Sequence, residues 1–446
     1  MYSNLLFVIF ILILINLTSE LQPSYAIDSP FAGFLAGIGG YFATLGAIYI
    51  QNLFIQRKFP GQKNLLLIAS NLELCLWLAF FLFVFGAPRV FEYIPILGQS
   101  QTFLSLFSLS LYLGGLWVFH YSSFAYRPIF QTRQANQQLC MIVPFVLPFL
   151  LFSVLIDLFQ TIPSLPKSAH SELIEGLFAI LTTLIFLVLM MVFMPAIMQW
   201  IWQCKPLENR EMNARLEKIC QKAHFKHAGI KTWTIMDHAL TAAIIGIVPK
   251  FRYVMFTKHL LNDLSPEAIE AILAHEIGHS YRKHLLFYPL IFWGMVMALS
   301  LFSVIFSEAI AGYFSIKNLS NPSSLWNIIY PFAFLIPYLI IIGLYFRLVF
   351  GFFSRLFERQ ADLHVFLLNI PVQSMIEALN QVGVLTGNSH LQPSWHHYSI
   401  QERIDFLKQA DENPQLIIQH HRKVKKWIMA YVIIIVVAML IIFFKN

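Results

Sequence analysis

The stretch Leu264–His284, LSPEAIEAILAHEIGHSYRKH, organises the reading of the whole chain. Ser265 suits an N-cap, Pro266 the first helical position, and Glu267 the first turn, where the helix dipole favours a negative charge. No breaker interrupts Ala268 to Ile277, so the spacing predicts one helix. Within it, His275-Glu276-Ile277-Gly278-His279 is an H-E-x-x-H motif. Residues four apart share a helical face, so both imidazoles can aim a nitrogen at one point. Glu276 lies one step round, close to that point without facing it, which suits a base acting on water at a bound metal.

Composition sets the surroundings of this helix. Hydrophobic residues make up 58% of the 446, charged residues only 12%, and Phe alone numbers 43. A soluble fold carries about 25% charged residues, so a polytopic membrane protein is expected. The net charge of +7 fits loops rich in Lys and Arg, and no base-reading or RNA-binding motif accompanies it, so no nucleic-acid partner is expected. Cys75, Cys140, Cys204 and Cys220 match neither a zinc ribbon nor a redox pair and read as packing residues.

Leu5–Leu17 is a short apolar run followed by Ser24-Tyr25-Ala26, either a signal peptide cut after Ala26 or a short uncleaved span. Eight longer spans follow, at about Phe31–Leu53, Asn64–Gly86, Thr102–Ser123, Leu139–Phe159, Leu173–Ile201, Leu285–Phe306, Leu325–Phe350 and Trp427–Phe444. Gly33, Gly37, Gly39 and Gly40 in the first of these are expected to allow close helix approach. Basic residues collect in alternate loops, at Arg57, Lys58 and Lys63, at Arg127 and Arg133, from Lys205 to Lys226, and from Arg355 to Lys426. That alternation places the H-E-x-x-H segment and Gly351–Lys426 together on the cytoplasmic side. Glu73, mid-span, either lines a watery cavity or pairs with another helix; Asp157, near a span end, reads as reaching the interface. His420 and His421, in a basic run against the last span, read as interface anchors.

The soluble pieces are Cys204–Lys283 and Gly351–Lys426. The first opens with a helical stretch near Arg210–Phe225, and Thr232–Leu260 then reads as strands joined by a turn around Pro249-Lys250. A catalytic zinc takes three protein ligands and leaves a position for water. In Phe353–Phe366, FSRLFERQADLHVF, Glu358 and Asp362 lie four apart on a continuation of the preceding span. Glu358 can be the third ligand, and Asp362 can accept the second ring N–H of a ligand histidine. The plainer reading is an exposed helix whose carboxylates sit beside Arg355 and Arg359. In Ser394–Leu407, SWHHYSIQERIDFL, an imidazole from His396 or His397 can stabilise an oxyanion, or the pair is an ordinary surface feature.

Together these pieces resemble the CAAX prenyl protease and HtpX-like family of membrane zinc metallopeptidases. The matching features are His275-Glu276-Ile277-Gly278-His279 with Arg282-Lys283-His284, two spans, Glu358-Arg359-Gln360-Ala361-Asp362, and Ser394, His397, Arg403 and Ile404. The resemblance covers about Cys204–Leu407. It implies a gluzincin-type core holding one Zn2+ per chain. His275, His279 and Glu358 would be ligands, Glu276 the general base, Asp362 the support of a ligand, and His397, with His396 as second choice, the active-site histidine. It also implies an edge strand within Thr241–Tyr253 that binds substrate backbone, with Ala242, Ala243 and Arg403 as substrate contacts.

The expected fold is mainly α, a polytopic α-helical membrane protein of about eight or nine transmembrane helices with a cytoplasmic zincin-like α+β metalloprotease domain. Its organisation reads as an N-terminal bundle over 1–203, catalytic segments at 204–284 and 351–426, two intervening spans at 285–350, and a last span at 427–446. The expected function is zinc-dependent endoproteolysis of membrane or membrane-associated proteins. The alternatives are a receptor-type protease that cuts a repressor and a non-catalytic membrane scaffold. The partners are a protein or peptide substrate and the lipid bilayer, most simply a bacterial inner membrane. Substrate identity and oligomeric state stay open.

Overall fold

A computed structural model describes residues 7–8, 10–12, 14–15, 27–58, 63–94, 100–123, 128–160, 169–235, 239–318, 326–387, 389–392 and 397–445. The cleavage site at Ala26, Ser394 and His396 fall outside them. Among the described residues, eight helices are long and apolar enough to cross a membrane: Pro30–Ile55, Leu65–Val84, Thr102–Ser122, Gln131–Leu158, Leu181–Ile201, His284–Phe306, Ile336–Leu367 and Gln415–Ile442. The polytopic α-helical class expected from composition is the observed one. The chain divides into two compact units, Met1–Met190 with Gly312–Ile336, and Met191–Ala311 with Pro337–Asn446.

The first unit is helical: α1 (Pro30–Lys58), α2 (Lys63–Ala79), α3 (Gln101–Ser122), α4 (Pro128–Gln160) and the start of α5 (Ala169–Ile201). With no water in a bilayer core, its polar side chains must find partners inside the protein. Asn52 donates to the Ser122 hydroxyl (2.8 Å) and the Phe119 carbonyl (3.2 Å), and the Trp77 indole N–H donates to the Gly37 carbonyl (2.9 Å). Glu73 pairs with another helix, accepting from Gln51 of α1 (2.8 Å), and it also lines a groove of about 430 Å³ with Thr44 and Trp77. Gly37 does mark a close helix approach, since a Cβ there would meet the Phe81 ring at 2.5 Å. Gly39 does not, as nothing lies within 4 Å of its would-be Cβ. Asp157 corrects the snorkelling expectation. Its carboxylate accepts from the Ser100 hydroxyl (2.7 Å) and the Thr102 backbone N–H (3.0 Å), answering an otherwise free donor at the start of α3.

The second unit carries a four-stranded sheet and its helices. β1 (Lys205–Pro206) precedes α6 (Arg210–Lys222), which is capped by the Asn209 side chain on the Met212 N–H (3.0 Å). β2 (Gly229–Trp233), β3 (Ala242–Ile245) and β4 (Tyr253–Thr257) follow. The sheet order is β1-β2-β4-β3, with β2 parallel and β3 antiparallel to β4, which leaves β3 at an edge. The turn after β3 begins at Gly246, whose φ of 100° and crowding against the Phe251 backbone exclude a side chain. α7 (Lys258–Asp263) then leads into α8 (Pro266–Tyr281), the H-E-x-x-H helix, where the Ser265 hydroxyl accepts from the Ala268 N–H as its cap requires (3.3 Å).

α9 (His284–Asn318) and α10 (Trp326–Tyr345) are the two intervening spans. A π-turn at Phe346–Phe350 carries α10 without a loop into α11 (Gly351–Asp362). α12 (His364–Leu367), α13 (Val372–Leu385), α14 (Ile400–Glu412) and α15 (Gln415–Lys445) complete the unit. One apolar core joins these pieces: Leu216 of α6, Val254 and Phe256 of β4, Ile269, Leu273 and Ile277 of α8, Val365 of α12, Leu379 of α13 and Leu407 of α14. Burying each such side chain contributes roughly 1.5–3 kcal/mol, enough to fix the site helices relative to the sheet. A second cluster packs Phe287 and Ile291 of α9 with Phe353 and Phe357 of α11 and Tyr431 of α15.

Candidate metal centre

The site forms where α8 crosses α11. Gly278 allows that crossing. A Cβ there would lie 2.8 Å from the His364 Cβ and 3.0 Å from the Ala361 carbonyl oxygen, so only a bare α-carbon lets the two backbones come this close. The contact brings Glu358 of α11 opposite the two histidines of α8. His275 Nε2 and His279 Nε2 are 3.2 Å apart, and the Glu358 carboxylate lies 3.7 Å from the first and 3.4 Å from the second. The three donor atoms fall within 4.8 Å of one another, and His275 and Glu358 are buried.

These distances suit a small divalent ion. Tetrahedral bonds of about 2.0–2.1 Å to nitrogen and oxygen space the ligands about 3.3 Å apart. Charge agrees as well. Glu276, Glu358 and Asp362 supply three carboxylates against the Arg403 guanidinium, a net of −2 when all are ionised. The field at the site favours a cation: burial disfavours a charged His279, yet the adjacent Glu358 outweighs burial and raises the ring's pKa above the ordinary imidazole value.

Asp362 sits one turn beyond Glu358 and is fully buried. Its Oδ1 lies 2.8 Å from His275 Nδ1, where it accepts the N–H of a ring whose Nε2 faces the metal position. Arg403 of α14 grips the same carboxylate through Nε (2.9 Å) and Nη2 (2.6 Å), and its Nη1 is 3.5 Å from Glu358. The guanidinium expected to meet substrate is therefore committed to supporting the metal position, with its side chain only 12% exposed. His397 Nδ1 stands 3.2 Å from Glu358 Oε2, at the margin of the site.

Glu276 is half-buried between the ligands and the sheet edge. The N–H of Ile244 in β3 donates to its carboxylate. Burial raises the Glu276 pKa above the ordinary carboxylate range, with His275, His279 and that N–H opposing. Ala242 and Ala243 are half-buried on the same edge strand, alongside α8.

Three supporting residues were not legible in the sequence. Arg282 is the C-cap of α8 and Lys283 adopts φ 60°, a turn after which His284 lies beside His279. His284 Nδ1 is 3.0 Å from His279 Nδ1, and its ring stacks on Phe357 at 4.2 Å. His284 Nε2 meets the Gln360 carbonyl oxygen (2.9 Å), and the Gln360 amide nitrogen meets His421 Nδ1 (2.9 Å). His421 Nε2 is 2.8 Å from Arg282 Nη2. His420 is buried and donates to the Leu356 carbonyl (3.0 Å). The α15 histidines are thus docked on α11 and not spread at the interface. The only sequence signal was the nearness of His284 to the motif; nothing marks Gln360 or His421 before the fold brings them in.

The profile of Peptidase family M48 matches residues 206–410, the segment that holds every residue above except His421 and His420. Through this segment, just under half of its length, the chain is similar to peptidase family M48. It is a multi-pass membrane metallopeptidase, and the proteolytic class expected from its motifs is the one it falls in. No curated protein matches the chain. Among solved structures, the crystal structure of S. mikatae Ste24p is similar at 17% identity and a TM-score of 0.48, over 86% of this chain and 99% of that one.

Proposed function

We propose that the protein is a zinc endopeptidase whose site lies at the cytoplasmic face of the membrane, with His275, His279 and Glu358 as the metal ligands. The observation that carries this reading is the convergence of their three donor atoms, within 4.8 Å of one another, from two helices far apart in sequence. Zinc held there supplies a Lewis acid that polarises a peptide carbonyl and lowers the pKa of water to about 7.

The chain's own residues do the rest. Glu276 takes the proton from the attacking water and passes it to the leaving amine, the role of a carboxylate with a raised pKa beside the reacting atoms. Asp362 keeps the hydrogen of His275 on Nδ1, so that Nε2 presents its lone pair, and Arg403 holds Asp362 in place. The edge position of β3 supports an extended peptide adding beside Ala242 and Ala243. In this reading its scissile bond lies next to Glu276, which contacts β3 through Ile244. His397, beside Glu358 at the site margin, can donate to an oxyanion. The alternation of basic loops supports the cytoplasmic assignment.

The test is metal analysis and casein-type proteolysis with purified full-length protein. Wild type and Glu276→Gln are expected to carry one zinc each, while the variant loses about 10²- to 10⁴-fold in turnover. Equal cleavage by the two proteins would remove Glu276 from the base role, and a protein without bound zinc would remove the metal assignment.

A further inference from the structure

The polar chain behind His279 contains a conflict. A neutral imidazole has one donor nitrogen and one acceptor nitrogen. For His279 to offer Nε2 to a metal, its hydrogen must sit on Nδ1, and His284 Nδ1, 3.0 Å away, must accept it. His284 then donates from Nε2 to the Gln360 carbonyl (2.9 Å), and the Gln360 amide donates to His421 Nδ1 (2.9 Å). His421 consequently carries its hydrogen on Nε2. That nitrogen faces Arg282 Nη2 at 2.8 Å, and a guanidinium only donates.

Run from the other end, the chain has no conflict but the wrong outcome. Arg282 donates to His421 Nε2, His421 to Gln360 with its amide turned over, Gln360 to His284, and His284 to His279. His279 is then left with its hydrogen on Nε2, directed at Glu358 Oε1 (3.4 Å), and has no lone pair for a metal. His284 and Gln360 are buried, at 2% and 6% exposure, so water does not readily break the chain in the middle.

We propose that His284 and Gln360 are positioning residues that hold His279 in its metal-ligating form, and that the Arg282–His421 contact at α15 opposes it, so that this contact and metal at His279 exclude each other. The inference rests on the metal centre proposed above. It makes the last spanning helix sensitive to metal occupancy through a contact made by neither ligand nor base.

The test is zinc affinity of full-length protein in detergent, stripped of metal and titrated against a chromophoric chelator, with the thermal midpoint of the metal-free form as a folding control. His284→Ala is expected to weaken zinc about 10- to 100-fold. Arg282→Gln removes the obligatory donor, and its amide oxygen can accept from His421, so it is expected to tighten zinc about two- to tenfold. In a His421→Ala background the same Arg282→Gln change is expected to do nothing, because no conflict remains.

Loss of a positive charge alone would tighten zinc in both backgrounds, and that result overturns the proposal. Unchanged or weaker binding by Arg282→Gln in the wild-type background overturns it too. The Arg282 comparison stands by itself if His284→Ala fails the folding control. If wild type binds zinc but His275→Ala binds it equally well, the metal centre itself is misplaced and both proposals fall. If only the Arg282 and His284 results fail, the centre stands without the relay.

Discussion

The two imidazoles of the centre sit one turn apart on α8, yet the protein backs them with different chemistry. His275 rests on a buried carboxylate, Asp362, itself clamped by the two-pronged Arg403. His279 rests on a neutral imidazole, His284, followed by an amide and a second imidazole. A charged backing strengthens its ligand directly but strands a guanidinium if it is lost. A neutral backing strands no charge, and its effect depends on which nitrogens carry hydrogens. The two sides should therefore fail differently: the charged one through stability and affinity together, the neutral one through affinity alone.

Asp362→Ala is the largest expected break. It removes the support of His275 and leaves Arg403 buried with only its 3.5 Å contact to Glu358, a loss of up to about 3–5 kcal/mol. The thermal midpoint of the metal-free protein should fall far more than for His284→Ala. A similar fall in both variants would mean that the two backings are equivalent after all. Gly278→Ala acts on both sides at once. The added methyl, 2.8 Å from His364 and 3.0 Å from the Ala361 carbonyl, must part α8 from α11. A loss of about 1–3 kcal/mol is expected, with zinc affinity falling because Glu358 is drawn away from both histidines together. Chelator titration and thermal melting read both effects.

The smallest effect concerns α14, which carries Arg403 only to the charged side. Its start is a capping box in which the Ser399 hydroxyl and backbone N–H bind Glu402 and hold that carboxyl below its ordinary pKa. A carboxyl depressed by folding contributes stability above its unfolded pKa, and that contribution is lost as pH falls through the folded value. Ser399→Ala should lower stability by about 1 kcal/mol at neutral pH, with the difference from wild type shrinking in acid. A difference that grows in acid would contradict the capping role.

Much of this centre was legible because it is written locally. The cap at Ser265, the four-residue spacing of His275 and His279, and the same spacing of Glu358 and Asp362 follow from helix geometry alone, and each appears as the spacing required. Of the strands, β3 and β4 fall within Thr232–Leu260, the stretch read as strands from its β-branched and aromatic runs, whereas β2 mostly precedes it. What escaped depends on partners distant in sequence. Arg403 reads equally well as a substrate contact until Asp362, forty-one residues earlier, is seen in its fork. His421 reads as an interface anchor because its neighbours are basic, and only docking of α15 against α11 turns it toward Gln360. Asp157 looked like a residue escaping lipid, and it is instead held by a helix start fifty-five residues away. Spacing along one element carries register but not the choice among equally polar partners.

The unbroken passage from α10 through the π-turn into α11 ties catalytic geometry to the hydrocarbon-crossing rod. A helix advances about 100° per residue, and a π-turn accommodates one residue more than the regular winding. Phe346–Phe350 thus sets the angular phase at which Glu358 emerges. Trimming one residue from the regular winding between that turn and Glu358, with every ligand still present, would swing the carboxylate about 100° off its mark. No flexible connection stands between them to absorb the error.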